Sequence, residues 1–190
     1  MNVLVISSSP NRDGLTAACA AAAVEGVLLA GGHAEEVRLN DLRLGLCQAC
    51  DNGWGTCLTA HQCQQEDDFQ SLHRRVLEAE GYVLVTPVYW GEMSESAKAF
   101  TDRLRRCEAT REGQSGLLDK PVIAVAAAGG SGGGMISCLA SMERWIHHVR
   151  ARVFDLIPVN RWSREYKLVA IGEAARAMVQ EAKTRHGAKA

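Results

Sequence analysis

Four apolar runs constrain this chain more than any other feature: "NVLVI" (2–6), "GYVLVTP" (81–87), "KPVIAVAAA" (120–128) and "ARVFDLIPV" (151–159), each bounded by turn-forming or polar residues. A strand with one wet face alternates polar and apolar side chains, whereas a run of this kind suits a strand covered by helices on both faces. Helical spacing fills the intervals. Leu72, Val76 and Leu77 follow Phe69, and Met93, Ala97, Phe100, Leu104 and Cys107 share a face. Met135, Ile136, Leu139, Ile146 and Val149 form a third stripe, and Leu168, Ile171, Ala175 and Met178 a fourth, before a polar tail. "AACAAAAVEGVLLA" (17–30) has high helix propensity and small side chains that allow close packing on a sheet. These stripes read as core. "HAEEVRL" (33–39), between a helix and a loop, fits a short second strand. Strand and helix alternate as in βαβ units, so the expected fold is α/β, with five parallel strands, helices on both faces and a long loop after the second strand.

With 190 residues the chain suits one well-buried domain spanning 1–190, with a cysteine-rich loop insertion at about 43–65. A net charge of -1 argues against nucleic-acid binding, which needs an excess of Lys and Arg. The runs "HRR" (73–75) and "RLRR" (103–106) read as solvated helix faces. No basic leader with a cleavage site follows Met1, and no stretch approaches the roughly 18 apolar residues of a membrane span. A cytoplasmic chain with reduced thiols and no membrane partner is expected. Clustered cysteines then read as metal-binding or redox-active before they read as disulfides.

In doubly wound sheets ligands bind outside the carboxyl ends of the strands, so the loops there matter most. "SSSPNRDGLTAA" (7–18) gathers hydroxyls and backbone N–H groups at the start of a helix, an arrangement suited to a phosphate or simply a serine-rich capped turn. Neither GxGxxG nor GxxxxGK[ST] occurs in it. "TPVYWGEMSESAKAFTDRLRR" (86–106) places Tyr89 and Trp90 at a strand end, as a wall for a flat ring or as a cap on the core. "AAAGGSGGGMISC" (126–138) has five glycines in residues 129–134, which let a bulky group approach the backbone or leave a flexible surface loop.

Together "SSSPNRDGLTA", "TPVYWGEMSESAKAFTDR" and "GGSGGG" resemble the NAD(P)H-dependent FMN reductases and iron-sulfur flavoproteins of flavodoxin-like fold, in order and spacing over about residues 1–150. The family pattern S-x-S-P-R-x-x-G-x-[ST] falls on Ser7, Ser9, Pro10, Asn11, Gly14 and Thr16; Asn11 replaces the usual Arg, and Arg12 follows it. The resemblance implies that Ser7, Ser9, Asn11, Arg12 and Thr16 hold the FMN phosphate. It implies that Pro87, Val88, Tyr89, Trp90 and Gly91 run beside the isoalloxazine, and that Gly129, Gly130 and Gly133 close its other side. It also implies a homo-oligomer, dimer or tetramer.

The segment "LCQACDNGWGTCLTAHQC" (46–63) holds Cys47, Cys50, Cys57 and Cys63. Iron-sulfur flavoproteins carry a C-x2-C-x2-C-x5-C-like set that closes on a [4Fe-4S] cluster. Here the spacing is C-x2-C-x6-C-x5-C, so the third ligand would fall on Gly53 and Cys57 stands four residues away. Free or reversibly oxidised thiols are the leading expectation, with a cluster and then zinc as alternatives. Trp54 reads either as an aromatic covering a subunit or the flavin, or as an anchor of its own loop. Cys19, Cys107 and Cys138 read as packing residues.

If FMN is bound, the difficult chemistry belongs to the flavin. The resemblance implies hydride transfer from NADH or NADPH to the flavin, and then to a small-molecule acceptor such as a quinone or free flavin. No titratable pair at the three loops marks a dedicated acid or base, so no catalytic side chain is expected. His61, His147 and His148 are the candidates worth naming, read as surface or supporting groups. The rivals are a flavodoxin-type electron carrier, which is usually strongly acidic where this chain is near neutral, and a non-catalytic redox- or metal-sensing protein of the same fold.

Overall fold

The computed structural model describes residues 1–187; residues 188–190, the end of the expected polar tail, lie outside them. The apolar runs form β1 (Asn2–Ser7), β3 (Gly81–Tyr89), β5 (Pro121–Ala128) and β6 (Arg152–Asn160), and the short second strand is β2 (His33–Arg38). These five are parallel, in the order β2-β1-β3-β5-β6. A two-residue β4 (Glu92–Met93), absent from the sequence-based expectation, pairs antiparallel with the end of β3. The helices are α1 (Leu15–Leu29), the single turn α2 (Thr56–Thr59), α3 (Phe69–Glu78), α4 (Glu95–Glu108), α5 (Met135–His148) and α6 (Arg164–Gly187). This is the flavodoxin-like order, and the winding reverses between β1 and β3, which opens a crevice beyond their carboxyl ends.

Why the runs are unbroken is visible in the two cores. Leu4, Ile6, Leu84, Ala124 and Ala126 face α3, α4 and α5, while Val3, Val5, Val83, Val85, Ile123 and Val125 face α1 and α6. Each fully buried Val, Leu or Ile contributes about 1.5–3 kcal/mol, and the buried polar residues of these strands, Ser7 and Thr86, stand near their carboxyl ends. The small residues of α1 have a specific reason: a Cβ on Gly26 would stand 2.1 Å from the Gly172 carbonyl oxygen of α6.

Three expectations change. Ile136 is exposed in the first turn of α5, and Met142 and Trp145 fill the core in its stripe. Met93 belongs to β4, because the chain reverses at Trp90 and Gly91 before α4 begins at Glu95. The basic runs are not simply solvated faces. His73 and Arg103 are buried because Glu108 and Asp67 supply carboxylates to them.

Candidate functional site

The loop after β1 is fixed by hydroxyls. Ser8 N–H and Oγ both donate to the Val85 carbonyl of β3, at 3.1 and 3.3 Å. Ser94, the N-cap of α4, has its Oγ 2.9 Å from the Ser8 carbonyl oxygen and 3.0 Å from Ser8 Oγ. Its N–H donates to Thr86 Oγ1 at 3.0 Å. The switch point between β1 and β3 is therefore tied together before any ligand arrives. Sequence reasoning named neither Ser8, Thr86 nor Ser94; the "S-E-S" that opens α4 was the available signal.

Above this base the chain enters α1 through Gly14, and among the described residues no side chain caps the first amides of that helix, nor does an acid stand in its first turn. Free amides at a helix N-terminus attract anions. Ser7, Ser9 and Thr16 are buried around the same turn, and Ser9 Oγ accepts from Asn11 N–H at 3.2 Å. Arg12 is exposed, with its Nη2 2.8 Å from Asp41 Oδ1. Arg38 pairs with the same carboxylate at 3.3 Å. The arginine expected at the phosphate is thus held at the rim of the loop.

The other two loops pack on each other. Trp90 and Gly91 are the central residues of the β3–β4 hairpin, with φ of 52° and 82°, as a primed turn requires. A bulky residue in the left-handed region is uncommon, and Trp90 is also fully exposed. The glycines of the third loop divide into two kinds. Gly134 has φ 79°, and a Cβ there would stand 2.8 Å from Gly91 Cα; Gly132 has φ 71° and would meet the Trp162 ring at 2.5 Å. Those two serve the backbone. At Gly129 and Gly130 an added Cβ meets nothing within 4 Å, and at Gly133 only Ser131 Oγ at 3.6 Å. The glycines singled out for the flavin are those that packing leaves open. Trp162, stacked under the Arg161 guanidinium at 4.3 Å, adds an aromatic to this edge after β6, a loop that sequence reasoning passed over.

The cysteine segment forms a separate site, between β2 and α3. Cys47, Cys50, Cys57 and Cys63 all line one small pocket of about 20 Å³, together with Arg103 and Arg106 of α4. The four extra residues are taken up by a tight turn at Asp51–Gly53, where Asn52 has φ 60° and Gly53 φ 122°, and by α2, which carries Cys57. Cys57 therefore returns to the other three cysteines. Arg103, 1% exposed, binds Asp67 through both nitrogens at 2.6 and 2.9 Å, the Gly45 carbonyl at 3.0 Å and Cys63 Sγ at 3.3 Å. Burial alone would raise the Asp67 carboxyl, but Arg103 and the Gly45 and Phe69 amides outweigh it and hold it below the usual carboxylate range. Arg106 donates to the Gly53 carbonyl and stacks on Trp54 at 4.4 Å, so Trp54 anchors its own loop. Among the described residues no three His, Cys, Asp or Glu side chains stand close enough to hold a single metal ion, which does not suit zinc. A cubane spreads its four thiolates more widely, and four thiols on one pocket are the donor set it takes.

The remaining candidates separate clearly. Cys19, Cys107 and Cys138 are buried in the cores, and desolvation pushes each thiol up to about 12. His147 and His148 are exposed in the last turn of α5, at the end of the helix away from the glycine loop. His61 has its Nδ1 3.1 Å from Thr110 Oγ1. Among the described residues no helix is long and apolar enough to cross a membrane.

Fold and loops together define a flavodoxin-like α/β chain with a candidate anion-binding loop at its switch point. The family model for NADPH-dependent FMN reductase matches residues 1–158, and the chain belongs to that family. An iron-sulfur flavoprotein of Archaeoglobus fulgidus is 31% identical over 104 residues, 55% of this chain and 46% of that protein, so this chain spans under half of its length. One from Methanosarcina thermophila is 26% identical over 147 residues, 77% of this chain and 73% of that one. Among solved structures, a flavone reductase aligns with a TM-score of 0.74 at 19% identity, covering 96% of this chain and 63% of its own. An NAD(P)H:quinone oxidoreductase from Methanothermobacter marburgensis aligns with a TM-score of 0.69 at 19% identity, covering 93% and 94%. At such identities these structures establish the fold alone.

Proposed function

We propose that the chain is an FMN-dependent NAD(P)H oxidoreductase that passes a hydride from a nicotinamide to FMN and on to a small-molecule acceptor. One observation carries the reading. The uncapped amides of α1 lie under buried hydroxyls at the β1/β3 switch point, on the same sheet edge as glycines that packing leaves open. Bound FMN would supply the hydride acceptance and onward electron transfer. The protein's own part is placement. Ser7, Ser9, Thr16 and the α1 amides would hold the phosphate; the backbone of residues 87–91 would line one side of the ring, and Gly129, Gly130 and Gly133 would close its other side with backbone alone, which leaves room beside them for a nicotinamide. The near-neutral charge favours this over an electron carrier. A second copy covering the exposed Trp90 and Ile136 would make the homo-oligomer.

A second centre is favoured by the joining of all four cysteines at one pocket and by the iron-sulfur flavoproteins among the relatives. Cys47, Cys50, Cys57 and Cys63 would hold a [4Fe-4S] cluster, with Arg103 and Arg106 offsetting its negative charge. Because the pocket now has room for little more than a water, the loop would ease outward on loading. Anaerobic purification followed by FMN loading, iron analysis and stopped-flow mixing with NADH and NADPH tests both parts. Flavin bleaching by either nucleotide, with turnover when a quinone is added, is the expected result. An FMN-loaded protein that neither nucleotide reduces would leave the carrier.

A further inference from the structure

A second cavity lies behind the cysteine segment, unconnected with the flavin edge. It has a volume of about 260 Å³, and six of its described lining residues are polar: His61, Gln62, Gln70, His73, Arg74 and Arg111. None of the described lining residues is a carboxylate. We propose that this cavity binds a small oxyanion, a phosphate or a carboxylate, held between the Arg74 and Arg111 guanidinium groups.

The walls come from three elements. Gln70, His73 and Arg74 lie on α3, Arg111 on the 3-10 segment that continues α4, and His61 and Gln62 on the turn after α2. Arg74 is exposed and has no hydrogen-bond or ion-pair partner among the described residues, so its charge is available. His73 is 3% exposed, and its Nε2 lies 2.7 Å from Glu108 Oε1. The other Glu108 oxygen accepts from Gly116 N–H at 2.7 Å and from Ser115 Oγ at 3.2 Å. Glu108 also lies 3.7 Å from Arg111 Nη1. That carboxylate is fully buried behind the cavity wall; burial alone would raise it, but His73, the Gly116 amide and Arg111 hold it below the usual range. With Glu108 ionised, the Arg74 and Arg111 guanidinium groups still leave the cavity with more positive than negative charge. Charge-assisted bonds to an anion are the strong ones, and a guanidinium presents two parallel donors to a carboxylate or phosphate.

The site also bears on the cysteines. His61 sits in the left-handed region at φ 55°, and Thr110 Oγ1, 3.1 Å from its ring, donates to the Cys57 carbonyl at 3.3 Å. An anion bridging α3 and this turn would fasten the stretch between Cys57 and Cys63.

Titration calorimetry of the FMN-loaded protein, whose β1 loop is then filled, with inorganic phosphate and separately with citrate at low salt tests the proposal. Saturable 1:1 binding with a dissociation constant on the order of 1 mM or tighter is expected for at least one of them. Binding of phosphate alone assigns a phosphate source, and binding of citrate alone a carboxylate source. Arg74→Met, at an exposed position that leaves folding intact, should weaken the binding about tenfold. The His61 and His73 ring proton NMR signals should move with the same saturation. No saturation by either anion, or equal binding by wild type and Arg74→Met, would overturn the proposal.

Discussion

At the carboxyl edge of the sheet the candidate flavin site is made of backbone: α1 amides without a side-chain cap, a primed turn at Trp90 and Gly91, and glycines at 129 and 130 that face open space. The cysteine segment is made of side chains that reach across the sequence, with Arg103 joining Asp67, Gly45 and Cys63, and Arg106 covering Trp54. The first depends on topology, which brings loops far apart in the chain to one edge, where the Ser8, Thr86 and Ser94 hydroxyls tie them together. The second depends on one helix face. A change in α4 should therefore loosen the cysteine segment and leave the flavin edge intact, while a change in the glycine loop should do the reverse.

The largest effect is expected from Arg103→Met, which leaves Asp67 without its partner. Breaking a buried pair costs about 3–5 kcal/mol, read by chemical denaturation, while FMN affinity should stay within about twofold, well under the 1.4 kcal/mol of a tenfold change. The pH dependence should change with it. Asp67 and Glu108 are held below the usual carboxylate range in the folded chain. Their stabilisation is therefore complete above the unfolded pKa of about 4 and is lost as pH falls through the lower folded values. Arg103→Met removes its own part of the Asp67 share and leaves that of the Gly45 and Phe69 amides, so its stability should fall less steeply on acidification than that of wild type.

Gly134→Ala should cost about 2 kcal/mol of stability, because its left-handed backbone is strained for any side chain and the new Cβ would meet Gly91. Gly129→Leu separates space from strain. Stability should stay within about 0.5 kcal/mol, yet FMN affinity should drop at least about tenfold, or 1.4 kcal/mol, since the added side chain takes the space assigned to the ring. If Gly129→Leu binds FMN like wild type, the open glycines are not the ring's wall. The smallest effect is at Ser94→Ala, where losing the α4 cap costs about 1 kcal/mol in thermal or denaturant unfolding.

The same contrast explains what could be read from the sequence. The apolar runs, the stripes of α3, α4 and α6 and the three strand-end loops were legible, because periodicity is local in origin and strand–helix alternation implies a parallel sheet with those loops on one edge. Ser8, Thr86 and Ser94 were not, since their hydroxyls matter only once β1, β3 and α4 are adjacent. "HRR" and "RLRR" misled for the same reason: nothing near Arg103 in sequence reveals Asp67, and nothing near His73 reveals Glu108. The displacement of Cys57 is taken up by the Asp51–Gly53 turn and α2, which bring it to the pocket that Cys47, Cys50 and Cys63 line.

The phosphate loop and the open glycines make a claim that one comparison tests most directly: equilibrium binding of FMN and of riboflavin, which lacks the phosphate, to the same apo protein. FMN should bind saturably at one per chain and about 100-fold more tightly than riboflavin, as the loss of two charge-assisted hydrogen bonds to the β1 loop would require. Equal affinities for the two flavins, or no saturable binding of FMN, would contradict it.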